Sequence, residues 1–332
     1  MQKNFAITGC GRIGTRHAAQ MYRIGNVKAV CDSIPEKAND LAYQYGATPY
    51  YSLDELLGLE KDIDVMSICT PNGLHAQHTI KSLDAGMHVL CEKPLCINVI
   101  DGKHMIAAAE RSRKKLFVVK QNRYNPPVVF LKELINLNKL GNIFSFQVNC
   151  FWNRNPHYYT GWKGTKQLDG GTLFTQFSHF IDLIYWLLGD VAAVKTINRN
   201  FAHEAIEFED TGMVLFEMKS GAIGTMNYTV NSFDKNMEGS LTLFAEKGSV
   251  KIGGEYLNEL EYFKVAGMET PILAKGNPAN AYGHYQGSMS NHDKVYEELL
   301  KALDDPYSTL ASAAEGLKTV EIIEKIYNCN TL

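Results

Sequence analysis

Two stretches of the chain carry side chains suited to proton transfer and charge stabilisation. The first is Cys91-Glu92-Lys93-Pro94, which follows Gly86-Met87-His88-Val89-Leu90, a run that reads as a buried strand. Pro94 has no N–H to donate and biases Lys93 towards extended backbone, so the strand ends there. A lysine set at the carboxyl end of a parallel strand stands where open α/β sheets bind ligands, and its ammonium can stabilise a developing negative charge. The second stretch runs from Gly170-Gly171-Thr172 through Gln176 and His179 to Leu188-Gly189. At about 100° per residue, Leu173, Phe177, Phe180, Ile181, Ile184 and Leu188 share one face, and Thr175, Ser178, His179 and Asp182 share the other. A solvated face usually carries Lys, Glu or Arg, and this one has none. The pattern predicts a helix buried on its polar side too, lining a cleft, with His179 as a candidate general base. Histidines on helices are also common structural residues, and the stripe alone leaves both readings open.

These side chains need elements to hold them, and the first 120 or so residues supply a recognisable set. Phe5-Ala6-Ile7 is a short apolar run leading into Gly9-Cys10-Gly11-Arg12-Ile13-Gly14, after which helical spacing continues through His17 to Tyr22. Gly9 permits a tight turn, Gly11 lets a pyrophosphate approach the backbone, and Gly14 allows helix to pack closely on strand. Val27 to Cys31 reads as the second strand and ends at Asp32, an acid placed to accept hydrogen bonds from an adenosine ribose. A carboxylate there repels the 2′-phosphate of NADP, so NAD is the expected cofactor. A helix from Pro35 to Tyr45, a short strand near Pro49-Tyr50 and a helix start at Ser52 follow. Ile63 to Cys69 is the next strand, and its loop Thr70-Pro71-Asn72-Gly73-Leu74-His75 again lies at a strand carboxyl end. Leu116 to Val119 is a further apolar run.

Composition narrows the class. The chain has 332 residues, enough for two domains, with 45% hydrophobic and 21% charged residues and a formal net charge of -3. No run of like charges suggests a nucleic-acid or membrane surface. Seven scattered cysteines without a Cys-x-x-Cys pair read as buried thiols in a reducing compartment, and no zinc spacing or other metal motif is present. Phe5 follows the start too soon for a signal peptide, and no segment has the apolar length of a membrane span. A cytoplasmic protein is expected.

Past Lys120-Gln121-Asn122-Arg123, Pro126 to Leu140 has helical spacing. Long β-type runs follow: Ile143 to Trp152, Val194 to Phe201, Gly212 to Met218, Ala222 to Val230 and Gly239 to Ala245. Turns such as Lys219-Ser220-Gly221 and Glu246-Lys247-Gly248 suit antiparallel hairpins.

GCGRIG, the CTPNGLH loop, AGMHVLCEKPL and the later helix with His179 together resemble the glucose–fructose oxidoreductase/inositol dehydrogenase (Gfo/Idh/MocA) family. The resemblance implies an α/β protein in two parts: a Rossmann NAD-binding domain over 1–122, and over 123–332 an α/β domain with a large, open, mostly antiparallel sheet. In that family the lysine of the Glu-Lys-Pro element reaches the substrate hydroxyl beside the nicotinamide. By this likeness Lys93 and His179 are the expected catalytic pair. Gly9, Gly11, Arg12, Ile13, Gly14, Asp32, Thr70, Pro71, His75, Glu92, Lys93 and Gln121 are expected at the cofactor. Lys93, Arg123, Lys163, Thr165, Thr175, Gln176 and His179 are expected at the substrate, with Arg154 and Lys163 as candidates for its phosphates. The family's usual pattern has an acid four residues before the histidine, where this chain has Thr175.

FVVKQNR, Phe151-Trp152 through Tyr158-Tyr159 to Gly161-Trp162-Lys163-Gly164-Thr165, LDGG, Glu209-Asp210-Thr211-Gly212, EGSLTLFAEKGSVKIGG and Tyr282-Gly283-His284 are similar to bacterial UDP-N-acetyl-2-amino-2-deoxyglucuronate dehydrogenases. This implies NAD-dependent oxidation of the 3-hydroxyl of a nucleotide sugar on the route to surface polysaccharides. It also implies a homo-oligomer, dimer or tetramer, and in some relatives 2-oxoglutarate as the final hydride acceptor. A UDP-N-acetylglucosamine 3-dehydrogenase, an inositol or free-sugar dehydrogenase and a non-catalytic NAD-binding regulator are the alternatives.

Overall fold

The computed structural model describes residues 2–281, 286–305 and 310–329; the Tyr282-Gly283-His284 segment lies outside them. Six parallel strands form the first sheet: β1 Lys3–Thr8, β2 Gly25–Cys31, β3 Thr48–Tyr50, β4 Val65–Ile68, β5 His88–Cys91 and β6 Leu116–Val118. Between them run α1 Arg12–Ile24, α2 Pro35–Tyr45, α3 Leu53–Leu59, α4 His75–Asp84 and α5 Val99–Ser112. The order is β3-β2-β1-β4-β5-β6 and every pairing is parallel. This is the doubly wound Rossmann arrangement, whose order reverses between β1 and β4. The strands are apolar runs because helices cover both faces; Phe5, Ala6 and Ile7 are wholly buried, as are all four residues of β4. Pro35 opens α2 at its first turn and Gly46, in the left-handed region at φ 66°, closes it, so both ends match the sequence reading.

This sheet belongs to a unit made of Met1–Lys120, Gln167–Gly170 and His292–Val320. A single cut after residue 122 therefore differs from the observed division, because a late stretch of chain returns to the first sheet. The returning stretch holds α9, His292–Asp304, and the start of α10, Ala313–Asn328. Its buried face, His292, Val295, Tyr296, Leu299 and Ala302, meets that unit's apolar surface, with the Tyr296 ring edge-on to Phe5 at 6.1 Å. Gly316 packs so tightly that a Cβ would lie 2.9 Å from Val118.

The second unit comprises Gln121–Lys166, Gly171–Asn291 and Glu321–Leu332. It begins with α6, Pro126–Asn136, and β7, Ile143–Phe151. Then come α7 Thr172–Thr175, α8 Ser178–Leu188, and strands β8 Val191–Arg199, β9 Thr211–Met218, β10 Ile223–Thr229, β11 Glu238–Ala245, β12 Gly248–Gly253 and β13 Glu259–Val265. The sheet order is β13-β12-β11-β7-β10-β9-β8, antiparallel except for the parallel β7–β10 pair. One face is covered by α8 through Phe177, Phe180, Trp152 and Tyr228, whose ring centroids lie 5.4 to 6.2 Å apart. The other face leaves Ile197, Met213, Leu215, Ile223 and Phe244 exposed. Among the described residues no helix is long and apolar enough to cross a membrane. The seven cysteines are thiols, and all but Cys329 are buried.

A buried carboxylate joins the sheet to the helices of this unit. Glu209 Oε1 accepts from the Tyr327 hydroxyl at 2.7 Å and the Tyr228 hydroxyl at 3.2 Å. Tyr327 oxygen in turn accepts from the Leu173 N–H at 3.0 Å, at the start of α7. Gly171, at φ 135°, is required here, since a Cβ would stand 2.4 Å from that hydroxyl. Burial raises Glu209 from its usual range to about 7, more than the tyrosine hydrogen bonds can offset. The folded state thus holds the Glu209 proton more tightly than the unfolded chain does. Its stabilisation is complete below the ordinary carboxylate range and is lost as pH rises through about 7. At 1.36 kcal/mol per pKa unit this amounts to roughly 3 kcal/mol, so the melting temperature should fall between about pH 4.5 and 7 and level off above. Glu209→Gln, which cannot ionise, should flatten that part of the curve; an unchanged slope would remove Glu209 as its source.

Candidate functional site

The turn after β1 has little freedom. Gly9 is at φ 95°, with a Cβ position 2.4 Å from the Cys69 carbonyl oxygen, and the corresponding atom on Gly14 would lie 2.0 Å from the Gly9 oxygen. Gly11, the N-cap of α1, has nothing within 4 Å of its Cβ position. The first turn of α1 carries no acidic residue, so backbone N–H groups face open space over Gly11 with the helix dipole behind them. Arg12 is exposed and Ile13 half-buried beside this opening. Asp32 directly follows β2, its Oδ2 accepting the Cys10 N–H at 2.8 Å and its Oδ1 the Ile34 N–H at 2.9 Å. Each carboxylate oxygen keeps a lone pair. The residues present therefore fit a dinucleotide, pyrophosphate over Gly11 and ribose at Asp32.

The loops after β4 and β5 meet through a histidine. His75 Nδ1 is 2.7 Å from the Pro94 carbonyl oxygen and Nε2 is 2.9 Å from the Thr70 carbonyl oxygen. Both partners only accept, and burial lowers the pKa of the ring, so the neutral imidazole donates to one of them at a time. Expected from sequence at the cofactor, His75 has both nitrogens on backbone and ties one loop to the other. Thr70 and Pro71 remain half-buried at the strand end. His78, whose pKa burial lowers to about 4, adds a 3.1 Å contact to Thr70 Oγ1. Asn72 and Gly73 bond to the carbonyls of Asp169 and Leu168, so the LDGG stretch braces the loop.

Glu92 is buried with both oxygens used. Oε1 lies 2.9 Å from His17 Nε2 and 3.3 Å from His292 Nε2, and Oε2 accepts the Lys93 N–H at 3.0 Å. His17 Nδ1 contacts the Tyr296 hydroxyl at 2.8 Å, which contacts Ser67 Oγ at 2.9 Å. Burial works against the charge of Glu92, but the hydrogen bonds from the two histidines outweigh it and hold its pKa well below the usual range. Burial lowers that of His17. Lys93 follows, half-buried, at the carboxyl end of β5.

In the second unit His179 is placed at the start of α8. The helix read from sequence as continuous is broken: α7 ends at Thr175, and α8 begins only at Ser178. Gln176 at the break accepts from Arg154 Nε at 2.8 Å and donates to the Tyr158 hydroxyl, while Phe177 packs against Trp152 and Tyr228. Thr175 is therefore not on the helix of His179. The expected burial of the polar face holds: Ser178, His179 and Asp182 are all buried. Gln121 Nε2 donates to Ser288 Oγ at 3.1 Å and lies 3.4 Å from His179 Nε2. Gln121 Oε1 and Ser178 Oγ are buried without a hydrogen-bond partner among the described residues.

Arg123 forms a buried, two-point ion pair with Asp182, Nε to Oδ2 at 2.8 Å and Nη2 to Oδ1 at 2.9 Å, with its guanidinium 5.1 Å from the Trp186 ring centre. That fork anchors α8 one turn beyond His179. Arg154, also buried, bonds to Asn236 Oδ1 at 3.1 Å as well as to Gln176. Lys163 Nζ stands 3.6 Å from the Tyr158 ring centre, and Thr165 Oγ1 bonds to the Trp162 carbonyl at 3.0 Å. Gln176, Arg154, Tyr158 and Lys163 thus form one cluster.

Sequence reasoning missed His17, His78, His292 and Tyr296. The available signal was a polar residue on an apolar stripe: His17 falls between Gly14, Ala18 and Met21 on the buried face of α1.

Comparison with known proteins bears on this geometry. Residues 3–120 match the model of the Gfo/Idh/MocA oxidoreductase family with an NAD-binding Rossmann fold, and 128–251 match a Gfo/Idh/MocA C-terminal domain. The fold is similar to the WlbA dehydrogenase of Bordetella pertussis, solved with NADH and UDP-GlcNAcA: TM-score 0.88, 32% identity, covering 98% of this chain and 96% of that one. The WlbA dehydrogenase of Chromobacterium violaceum, solved with the same two ligands, gives TM-score 0.88 and 34% identity, over 98% and 93% of the two chains. Levoglucosan dehydrogenase of Pseudarthrobacter phenanthrenivorans is 26% identical over 338 residues, 90% of this chain and 86% of its own. With both domains of the family matched in order, the chain belongs to the Gfo/Idh/MocA family of oxidoreductases and binds NAD in its Rossmann domain.

Proposed function

We propose that this enzyme oxidises the 3-hydroxyl of UDP-N-acetylglucosaminuronate to the 3-keto sugar, with NAD, on a route to surface polysaccharide sugars. The supporting observation is likeness over both domains, 98% of the chain, to two dehydrogenases solved with NADH and UDP-GlcNAcA. The levoglucosan dehydrogenase relative keeps a second reading in view, a dehydrogenase of an uncharged or free sugar. A non-catalytic regulator has no use for a charge-poor buried histidine or for a lysine at the strand end.

NAD, when bound, supplies the hydride acceptor. His179 takes the hydroxyl proton. A Gln121 amide hydrogen pointed at Nε2 places the ring proton on Nδ1 and leaves the Nε2 lone pair as the base. That contact is long at 3.4 Å, so a substrate hydroxyl can replace it. Lys93 stabilises the alkoxide as its C–H bond breaks and the carbonyl forms. Gln121 Oε1 and Ser178 Oγ are suited to sugar hydroxyls, since both are buried and have no hydrogen-bond partner among the described residues. Lys163 and Thr165 serve the diphosphate and sugar. Arg123, Arg154 and Gln176 act by holding the elements that carry these groups. The exposed apolar sheet face with Met213, Leu215 and Ile223 supports a homo-oligomer built on that face.

Asp32→Ala should weaken NAD far more than NADP, by roughly 1.5–3 kcal/mol for a charged ribose hydrogen bond. Equal loss for both cofactors in a titration would remove the ribose role. His179→Ala should slow single-turnover hydride transfer about 10²–10⁴-fold with NAD binding kept, and Lys93→Met should do comparable damage. Wild-type rates in both would mean that the pair is structural. With 2-oxoglutarate present in case the cofactor is retained, kcat/KM for UDP-N-acetylglucosaminuronate should exceed that for UDP-N-acetylglucosamine by about ten- to a hundredfold, one charge-assisted hydrogen bond. Thr175→Asp should erode that preference. Equal or better use of the neutral sugar would favour the amino-sugar alternative.

A further inference from the structure

We infer that Glu92, His17, His292, Tyr296 and Ser67 form a hydrogen-bond relay whose task is to position Lys93 and to set a fixed negative charge behind it. The inference rests on the reading of Lys93 as the group beside the reacting hydroxyl.

The proton positions in the relay are determined by its ends. The Lys93 N–H can only donate, so Glu92 Oε2 accepts. With Glu92 ionised, Oε1 accepts from both histidines, at 2.9 Å from His17 Nε2–H and 3.3 Å from His292 Nε2–H. His17 Nδ1 is then a lone pair, and it must receive the Tyr296 hydroxyl proton at 2.8 Å. Tyr296 oxygen is left to accept from Ser67 at 2.9 Å. His292 Nδ1 is buried with no partner among the described residues, which suits a lone pair better than an N–H. In this arrangement every proton has one place, and the negative charge of Glu92 is held by the hydrogen bonds around it.

Four elements of one unit contribute: α1, β4, the end of β5 and α9. A buried carboxylate is costly unless each lone pair is used, and a core that needed only stability would be filled with apolar groups. What the carboxylate gives this site is a fixed backbone at the residue after it, with a negative charge on the neighbouring residue. Each carboxylate oxygen is tied into the relay, Oε1 by the two histidines and Oε2 by the Lys93 N–H, so Glu92 bears on the reaction through Lys93. It is a positioning residue.

His17, Glu92 and His292 also have the composition of a metal site, their facing atoms lying within 4.8 Å of one another. The relay requires the two Nε2 protons that a metal would displace, so the two arrangements exclude each other.

The test uses Glu92→Gln, His292→Leu and His292→Gln in the full-length enzyme, with folding checked by circular dichroism. Glu92→Gln and His292→Leu should slow single-turnover hydride transfer about ten- to a hundredfold, the usual effect of losing a supporting partner, with NAD Kd unchanged. His292→Gln, whose amide reaches as Nε2 does, should recover most of the rate. In a Lys93→Met background, Glu92→Gln should add no further loss. If Glu92→Gln does not fold, Tyr296→Phe, which releases His17 from its orienting bond, replaces it with the same expected slowing.

Wild-type hydride transfer in Glu92→Gln and His292→Leu would overturn the relay while Lys93→Met still fails, leaving the lysine reading intact. Full additivity with Lys93→Met, or loss confined to NAD binding, would also overturn it. So would activity removed by a chelator and restored by zinc, which would make the trio a metal site. Undiminished transfer in Lys93→Met would defeat the lysine reading itself, and the relay with it.

Discussion

Helix α1 lies so close to the turn after β1 that a Cβ on Gly14 would stand 2.0 Å from the Gly9 carbonyl oxygen. Much of the first unit depends on that approach. It sets the amino terminus of α1 over the open backbone of Gly11, where a diphosphate fits. It also carries His17, one turn along the same helix, into contact with Glu92 across 75 residues of sequence. The same close packing thus serves the cofactor opening and the support of Lys93. An alanine at Gly14 would have to move the helix, and both would move with it.

The parts of the site that local backbone rules decide were legible in the sequence. Gly9, Gly11 and Gly14 behave as their spacing requires, Asp32 directly follows β2, and Lys93 lies two residues past the end of β5. The helix read from Pro35 to Tyr45 is α2, with the same bounds. What the sequence concealed depends on contacts between distant segments. His292 reaches Glu92 over 200 residues and Tyr296 reaches His17 over 279, and no periodicity encodes either meeting. The return of His292–Val320 to the first unit has the same origin, since an amphipathic helix shows that it has an apolar face but not where that face will be buried.

A wheel drawn through residues 173–188 identified the right polar group and the wrong continuity. Ser178, His179 and Asp182 are buried together, as their lack of charged neighbours implied. The break before Ser178 was invisible because it is made by tertiary partners: Arg154 and Tyr158 hold the Gln176 side chain, and Trp152 and Tyr228 hold the Phe177 ring. Arg123, expected at the substrate, has a partner that its charge alone did not identify. Its guanidinium closes on Asp182 in a buried two-point ion pair.

The central claim, hydride removal from C3 of UDP-N-acetylglucosaminuronate, is tested most directly with that sugar deuterated at C3. The enzyme is given the labelled sugar and NAD, then denatured to release any retained cofactor, and the nicotinamide is analysed by NMR. The account predicts deuterium at nicotinamide C4 together with a 3-keto sugar. Reduced cofactor without deuterium, or full retention of the label on the sugar, would contradict it.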